Sequence, residues 1–214
     1  MVRFVQSFYM RTIILFLAFA GIAIITWLII DRPGKKEANA KAQAISISKH
    51  TPEFNEQIAG LLNDYNKIAE NFVSWDSAGA MQSAATLIKD LDNIVLGELK
   101  KDSTIYLTAE TFLDNAKGDA QTIMNEKNIR QQREAFSSLT DNLYQFLNTV
   151  KYDKEKLYLQ ECPMAFDDTK PAQWLSQKEE IRNPYLGLHH PTYGKGMLKC
   201  GEIKATMNNT ETKQ

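Results

Sequence analysis

Apolar positions recur at three- and four-residue steps through most of residues 52–150, and a run with no charged residue precedes them. That run, residues 12–30, reads TIILFLAFAGIAIITWLII. Nineteen residues at the helical rise span about 28 Å, the depth of a bilayer core. Main-chain groups in lipid need internal partners, so the run is expected to be helical. Arg11 and Arg32 bracket it, and Trp27 sits where an interfacial aromatic belongs. The competing reading is a cleaved signal peptide, whose apolar region is usually shorter, about 7–15 residues, with a small-x-small site close behind. Here Ala38-Asn39-Ala40 lies farther on, beyond Arg32, Pro33, Lys35 and Lys36. An uncleaved single-pass anchor is the favoured reading. No cysteine adjoins the run, which excludes a lipoprotein anchor. Arg3 and Arg11 face Arg32, Lys35 and Lys36, so the positive-inside rule is nearly balanced. A long C-terminal domain is exported largely regardless of such charges, which places residues 1–11 in the cytoplasm and the body outside it.

Residues 31–49 are polar and alanine-rich and read as a linker. A helical body over 50–153 follows. Thr51-Pro52 predicts an N-cap with proline in the first turn. Phe54, Ile58, Leu61, Leu62, Tyr65, Ile68, Ala69, Phe72 and Val73 then form one stripe. Asp76 or Ser77 is expected to cap a second helix that carries Met81, Ala84, Ala85, Ile88, Leu91 and Val95 on one face and stops near Lys100-Lys101. Thr108 is expected to cap a third, with Phe112, Leu113, Ala116, Ala120, Ile123 and Met124. Asn128 with Gln131 resembles a capping box for a fourth, striped by Ile129, Phe136, Leu139, Leu143, Phe146, Leu147 and Val150. The third and fourth could instead be one kinked helix. Such stripes bury one another most simply in an antiparallel four-helix bundle. The predicted fold class is therefore mainly α: one transmembrane helix, the bundle, and a small Pro/Gly-rich C-terminal cap with short strands.

The cap is residues 154–204, and the polar tail 205–214 reads as disordered. Four of the six prolines, four of the ten glycines and both cysteines lie in the cap. Two stretches, 157–160 and 197–200, look like short extended pieces. Cys162-Pro163-Met164 stands near one and Met197-Leu198-Lys199-Cys200 forms the other. Residues two apart on a strand share a face, so Cys162 and Met164 can converge. If the stretches meet, two thiolates and two thioethers gather, a soft set that selects Cu(I) and similar ions. His189 and His190, on the intervening loop, could add an imidazole. The plainer alternative is a Cys162–Cys200 disulfide, worth about 4 kcal/mol in the chain-entropy model.

Charge and missing motifs narrow the function. Without residues 1–30, which hold Arg3, Arg11 and no acid, 23 basic groups remain of 25, against 26 acidic ones. A net of −3 gives no electrostatic drive toward nucleic acid. No inward acids with Glu-x-x-His spacing support a di-iron bundle. No G-x-S-x-G elbow and no C-x-x-C-H haem motif occurs. No enzyme is expected.

Four stretches carry a resemblance: 159–166 (LQECPMAF), Trp174-Leu175-Ser176, 181–185 (IRNPY) and 197–201 (MLKCG). Together they resemble a bacterial domain family of unknown function with a CPMA, WLS, NPY and ML-x-CG pattern. Residues 128–136 resemble the helix that leads into it, and the likeness runs from about residue 52 to 203. Here the turn after Gly187 is longer than that pattern, and no adaptor hairpin or barrel precedes the domain. The family occurs in exported proteins of Gram-negative bacteria and beside the periplasmic adaptor subunits of copper/silver-type efflux pumps. The resemblance implies an inner-membrane, single-pass protein with a periplasmic domain that binds Cu(I) or Ag(I), as a chaperone or sensor near an efflux system. An efflux adaptor or other periplasmic protein is the implied partner. The alternatives are a disulfide-stapled helical interaction module without metal, and a small-molecule-sensing ectodomain.

Overall fold

The computed structural model describes residues 48–207. The expected cytoplasmic segment 1–11, the anchor 12–30, the linker as far as 47 and the tail from 208 lie outside the described residues. Among the described residues, no helix is long and apolar enough to cross a membrane.

Four α-helices come first: α1 (Pro52–Val73), α2 (Ser77–Asn93), α3 (Ser103–Asn125) and α4 (Ile129–Val150). A 3-10 helix, Leu96–Lys101, stands between α2 and α3. Thr51 Oγ1 accepts the Phe54 N–H at 3.2 Å, and Pro52 sits in the first turn, where its missing N–H costs nothing. Every residue of the expected α1 stripe is buried, and so is the α4 stripe from Phe136 to Val150. Asn128 caps α4 by accepting from the N–H groups of Arg130 and Gln131. The reciprocal bond of the box comes from Glu126 rather than Gln131. Its Oε1 accepts the Asn128 N–H at 2.9 Å.

Three expectations for the helices need correction. The buried face of α2 is Ala80, Ala84, Leu87 and Leu91, whereas Met81, Ala85 and Ile88 are half-buried and Val95 is 53% exposed. Alanines at 80 and 84 let α2 approach its neighbours closely, which turns the contact line toward them. The second helix ends at Asn93, because Ile94 and Val95 are extended, and the chain then tightens into the 3-10 turn. Asp102, not Thr108, caps α3, accepting from Thr104 and Ile105 at 3.0 and 3.1 Å. The third and fourth helices are separate.

The helices pack in chain order, each on the next. Aromatics join α1 to α4: Tyr65 stacks on Phe136 at 5.0 Å, and Phe72 meets Phe136 edge-on at 5.3 Å. The end of the expected linker is tied down too, since the Lys49 N–H donates to Asp153 Oδ2 at 2.9 Å.

A three-stranded antiparallel sheet follows: β1 (Leu157–Phe166), β2 (Lys170–Ser176) and β3 (Glu202–Met207), in the order β2-β1-β3. Asp167 and Asp168 both have positive φ, 52° and 58°, in the three-residue connection, which the Thr169 N–H closes on the Phe166 carbonyl at 3.1 Å. Arg130 on α4 holds Asp167 through two bonds at 2.6 and 2.7 Å. β2 lies against α4 and α1. The stretch 197–200 is a turn rather than a strand, with the Cys200 N–H on the Met197 carbonyl at 2.9 Å. The last strand instead takes in residues 205–207, which composition assigns to the tail. Its residues 202–204 are exposed and only Met207 is buried, so no apolar alternation marks it.

Candidate functional site

Cys162 lies on the central strand, opposite Ala172 of β2. Cys200 precedes β3, separated from it by Gly201. Their sulfurs stand 3.0 Å apart although 38 residues separate them in the chain. Both are free thiols; Cys162 is buried and Cys200 half-buried. Burial, then the neighbouring thiol, pushes the Cys200 thiol up to about 12, so the reduced pair holds its Cys200 proton at neutral pH.

The other motif stretches hold this corner together. Asn183 donates its side-chain N–H to the Cys200 carbonyl at 2.8 Å, and its main-chain N–H donates to Leu198 O at 2.8 Å. Its Oδ1 accepts from the N–H groups of Tyr185 and Leu186 at 2.8 and 3.0 Å, which folds the NPY stretch into an Asx-type turn. Arg133 of α4 donates to Pro184 O at 2.9 Å and to Phe72 O at 2.7 Å, with its guanidinium 4.1 Å over the Trp75 ring. The Tyr185 hydroxyl donates to Gln173 O on β2, and its ring is flanked by Phe136, Phe166 and Trp174.

Gly201 completes the interlock. Its φ is +145°, and a Cβ there would lie 2.8 Å from Trp174 Cη2 and 2.9 Å from Glu161 O. Only glycine lets the chain run this close to the Trp174 ring and the Glu161 carbonyl.

The remaining candidates are placed as follows. Met197 sits in the turn that delivers Cys200, and Met164 lies in the stretch after Cys162 where the β1–β2 register shifts. Both are half-buried against the core. His189 is exposed. His190 stacks on Tyr193 at 4.8 Å and meets Trp75 edge-on at 5.7 Å. Its Nδ1 accepts from the N–H groups of Thr192 and Tyr193. Among the described residues, no three of His, Cys, Asp and Glu gather so as to hold a metal, so neither histidine joins the cysteine pair. The third histidine, His50, pairs with Glu98 at the start of α1.

The sequence marks the cysteines but not the residues that position them. Asn183 and Gly201 stand in recognisable motifs, yet their tasks depend on Leu198, Cys200 and Trp174, which only the folded chain brings near. Arg133 sits among polar residues of α4 and carries no local sign of burial.

Residues 61–155 match a family described as a protein of unknown function (DUF3347). The match covers most of α1 and all of α2, α3 and α4, and stops before Cys162. Comparison with curated proteins and with solved structures gives no match.

Proposed function

We propose that this domain binds a soft monovalent ion, Cu(I) or Ag(I), on Cys162 and Cys200, with Met164 and Met197 as flanking thioethers. The convergence of the two sulfurs from positions 38 apart in the chain carries the reading. Sulfur ligands select soft ions over hard cations. The role is binding rather than catalysis: a chaperone or sensor at the inner membrane, anchored by residues 12–30, with its body in the periplasm. The short connections between successive helices support an antiparallel up-down bundle as the platform. The link to an efflux adaptor rests on the motif resemblance alone.

A second reading has its own support. Two thiols this close can close into a disulfide, and a stapled helical module that binds a protein partner needs no metal.

One experiment separates them. The reduced full chain competes for Cu(I) with a chromogenic chelator, beside Cys162→Ser and the double variant Met164→Leu, Met197→Leu. Leucine keeps size and apolar character at a cost below about 1.5 kcal/mol, so the melting midpoint should hold while Cu(I) affinity falls. Cys162→Ser should abolish stoichiometric binding. Unchanged affinity in the methionine variant would remove the thioethers from the site. A reduced parent that binds no Cu(I), with a Cys162–Cys200 bridge in the isolated protein, would leave the stapled module.

A further inference from the structure

Two acids face each other across the first helix pair. Asp64 lies on the buried stripe of α1, between Leu61 and Ile68, and is only 7% exposed. Asp90 lies on α2 between the buried Leu87 and Leu91 and is half-buried. The two helices pack on each other. That packing brings the Asp90 carboxyl within hydrogen-bond reach of the Asp64 carboxyl.

Their other partners differ. The Lys67 ammonium donates to Asp64 Oδ1 at 2.5 Å, and the Asn63 amide reaches the same oxygen at 3.5 Å. Neither oxygen of Asp90 receives a hydrogen bond from an N–H or hydroxyl group among the described residues, and Oδ2 is buried. As two bare carboxylates, the pair would set like charges side by side with no donor between them. One proton on Asp90 removes the conflict. It makes that carboxyl a donor to Asp64 and leaves a single negative charge for Lys67. The remaining charges nearby supply no donor. On α1, Glu53 and Glu56 line a cleft of about 290 Å³ that takes in Asp90 and gives it access to solvent. On α2, Lys89 is exposed, and Asp92 pairs with Lys117 of α3, the other helix packed on α2.

We propose that Asp64 and Asp90 form an acid-closed clasp between α1 and α2, in which one shared proton ties the helices and its loss leaves two carboxylates that push them apart. The proton comes from water and returns to it. Burial first, then the Asp64 carboxyl, raises the Asp90 pKa to about 6, with Lys67 opposing. The unfolded chain gives up the same proton near the ordinary 3.8. The folded chain therefore holds it to the higher pH. Stability from the clasp is complete below about pH 3.8 and is lost as pH rises through about 6. The device uses no residue of the thiol corner, and its contribution is common to every variant that keeps both aspartates.

Two measurements on the full chain test it. The first is a carbon-13 titration of the aspartate carboxyls, in which the Asp90 signal is the one that Asp90→Asn removes. A midpoint near pH 6 is expected, and an ordinary midpoint, about 4, would overturn the proposal. The second is urea unfolding at about pH 5 and about pH 7. Relative to Asp90→Asn, the folding constant of the parent should fall about 10-fold from the lower pH to the higher, the linkage of one proton lost near pH 6. The asparagine amide donates to Asp64 at either pH, so the gap opens toward neutrality in the variant's favour. An equal difference between parent and variant at both pH values would overturn the clasp. Asp64→Asn decides the pairing even if Asp90→Asn fails to fold. Without the neighbouring carboxylate the midpoint near pH 6 should move down, and a midpoint that stays in place would overturn the shared proton.

Discussion

The Tyr65 hydroxyl accepts the main-chain N–H of Leu175 at 3.0 Å, tying the outer strand β2 to the first helix. The same hydroxyl lies 2.6 Å from Thr140 Oγ1, which donates in turn to the Phe136 carbonyl at 2.9 Å. The chain Leu175 to Tyr65 to Thr140 to Phe136 thus satisfies a strand N–H through two helices. Burial holds the phenol well above its ordinary pKa, so it stays a donor at any moderate pH. Tyr65→Phe keeps the ring stack on Phe136 but strands the Leu175 N–H. The expected cost is about 1–3 kcal/mol. Urea unfolding should show a lower midpoint with an unchanged slope.

Gly201→Ala should be a damaging change for a single added methyl. The new Cβ meets Trp174 and the Glu161 carbonyl at under 3 Å, on a backbone that L-residues rarely adopt. A loss of about 2–4 kcal/mol is expected. Because the strain falls between the two cysteine-bearing stretches, Cys162 should become reactive toward a thiol reagent well before global unfolding. A variant with parental stability and a protected Cys162 would refute the interlock.

Asn183→Ala keeps the main-chain bond to Leu198 but removes three made by the side chain. It leaves the Cys200 carbonyl and two N–H groups without their partner, so about 2–4 kcal/mol should be lost. If the clasp positions Cys200, Cu(I) affinity should fall in this variant even under conditions where circular dichroism reports a fully folded chain. Intact affinity would make Asn183 a purely structural residue.

His190 gives the loop 188–194 a pH dependence of known sign. Burial, then the positive charge of Arg133, lowers its pKa below the ordinary 6.5, with Asp168 opposing. The neutral ring accepts two N–H groups at Nδ1, which a proton there would block. The unfolded chain therefore takes the proton at higher pH than the folded one. The contribution is complete above about pH 6.5 and is lost as pH falls toward the lowered value. Stability should drop between pH 7 and 5 more steeply in the parent than in His190→Gln. Equal slopes would show that the ring contributes no such linkage.

Much of the helical part is legible because its signals are local. Thr51-Pro52 and Asn128 carry their own capping chemistry, and the α1 and α4 stripes hold large side chains at regular steps. The face of α2 is misjudged because its closest contacts are alanines, which weigh little in a periodicity reading. Asp102 is passed over because Leu99 and Ile105 blur the boundary it marks. At the site, the two cysteines are legible as chemistry. Their supports are not, because Asn183, Arg133, Gly201 and Trp174 act across 17 to 61 positions of sequence. β3 is missed for a different reason: an exposed edge strand carrying Glu202 and Lys204 looks like the tail that follows it.

The strand order β2-β1-β3 also sets a timetable. A ribosome delivers the helices first and the β1–β2 hairpin next, and both can settle on contacts already present. The third strand comes near the end of the described chain, and β1 awaits it with one flank open. Until Cys200 and the strand behind it arrive, Cys162 has no second thiol to meet. Whatever the pair does, by bond or by ion, it begins only after the helices and the β1–β2 hairpin have been made. Refolding of the reduced protein should accordingly show helical circular dichroism recovering before Cys162 becomes protected from a thiol reagent.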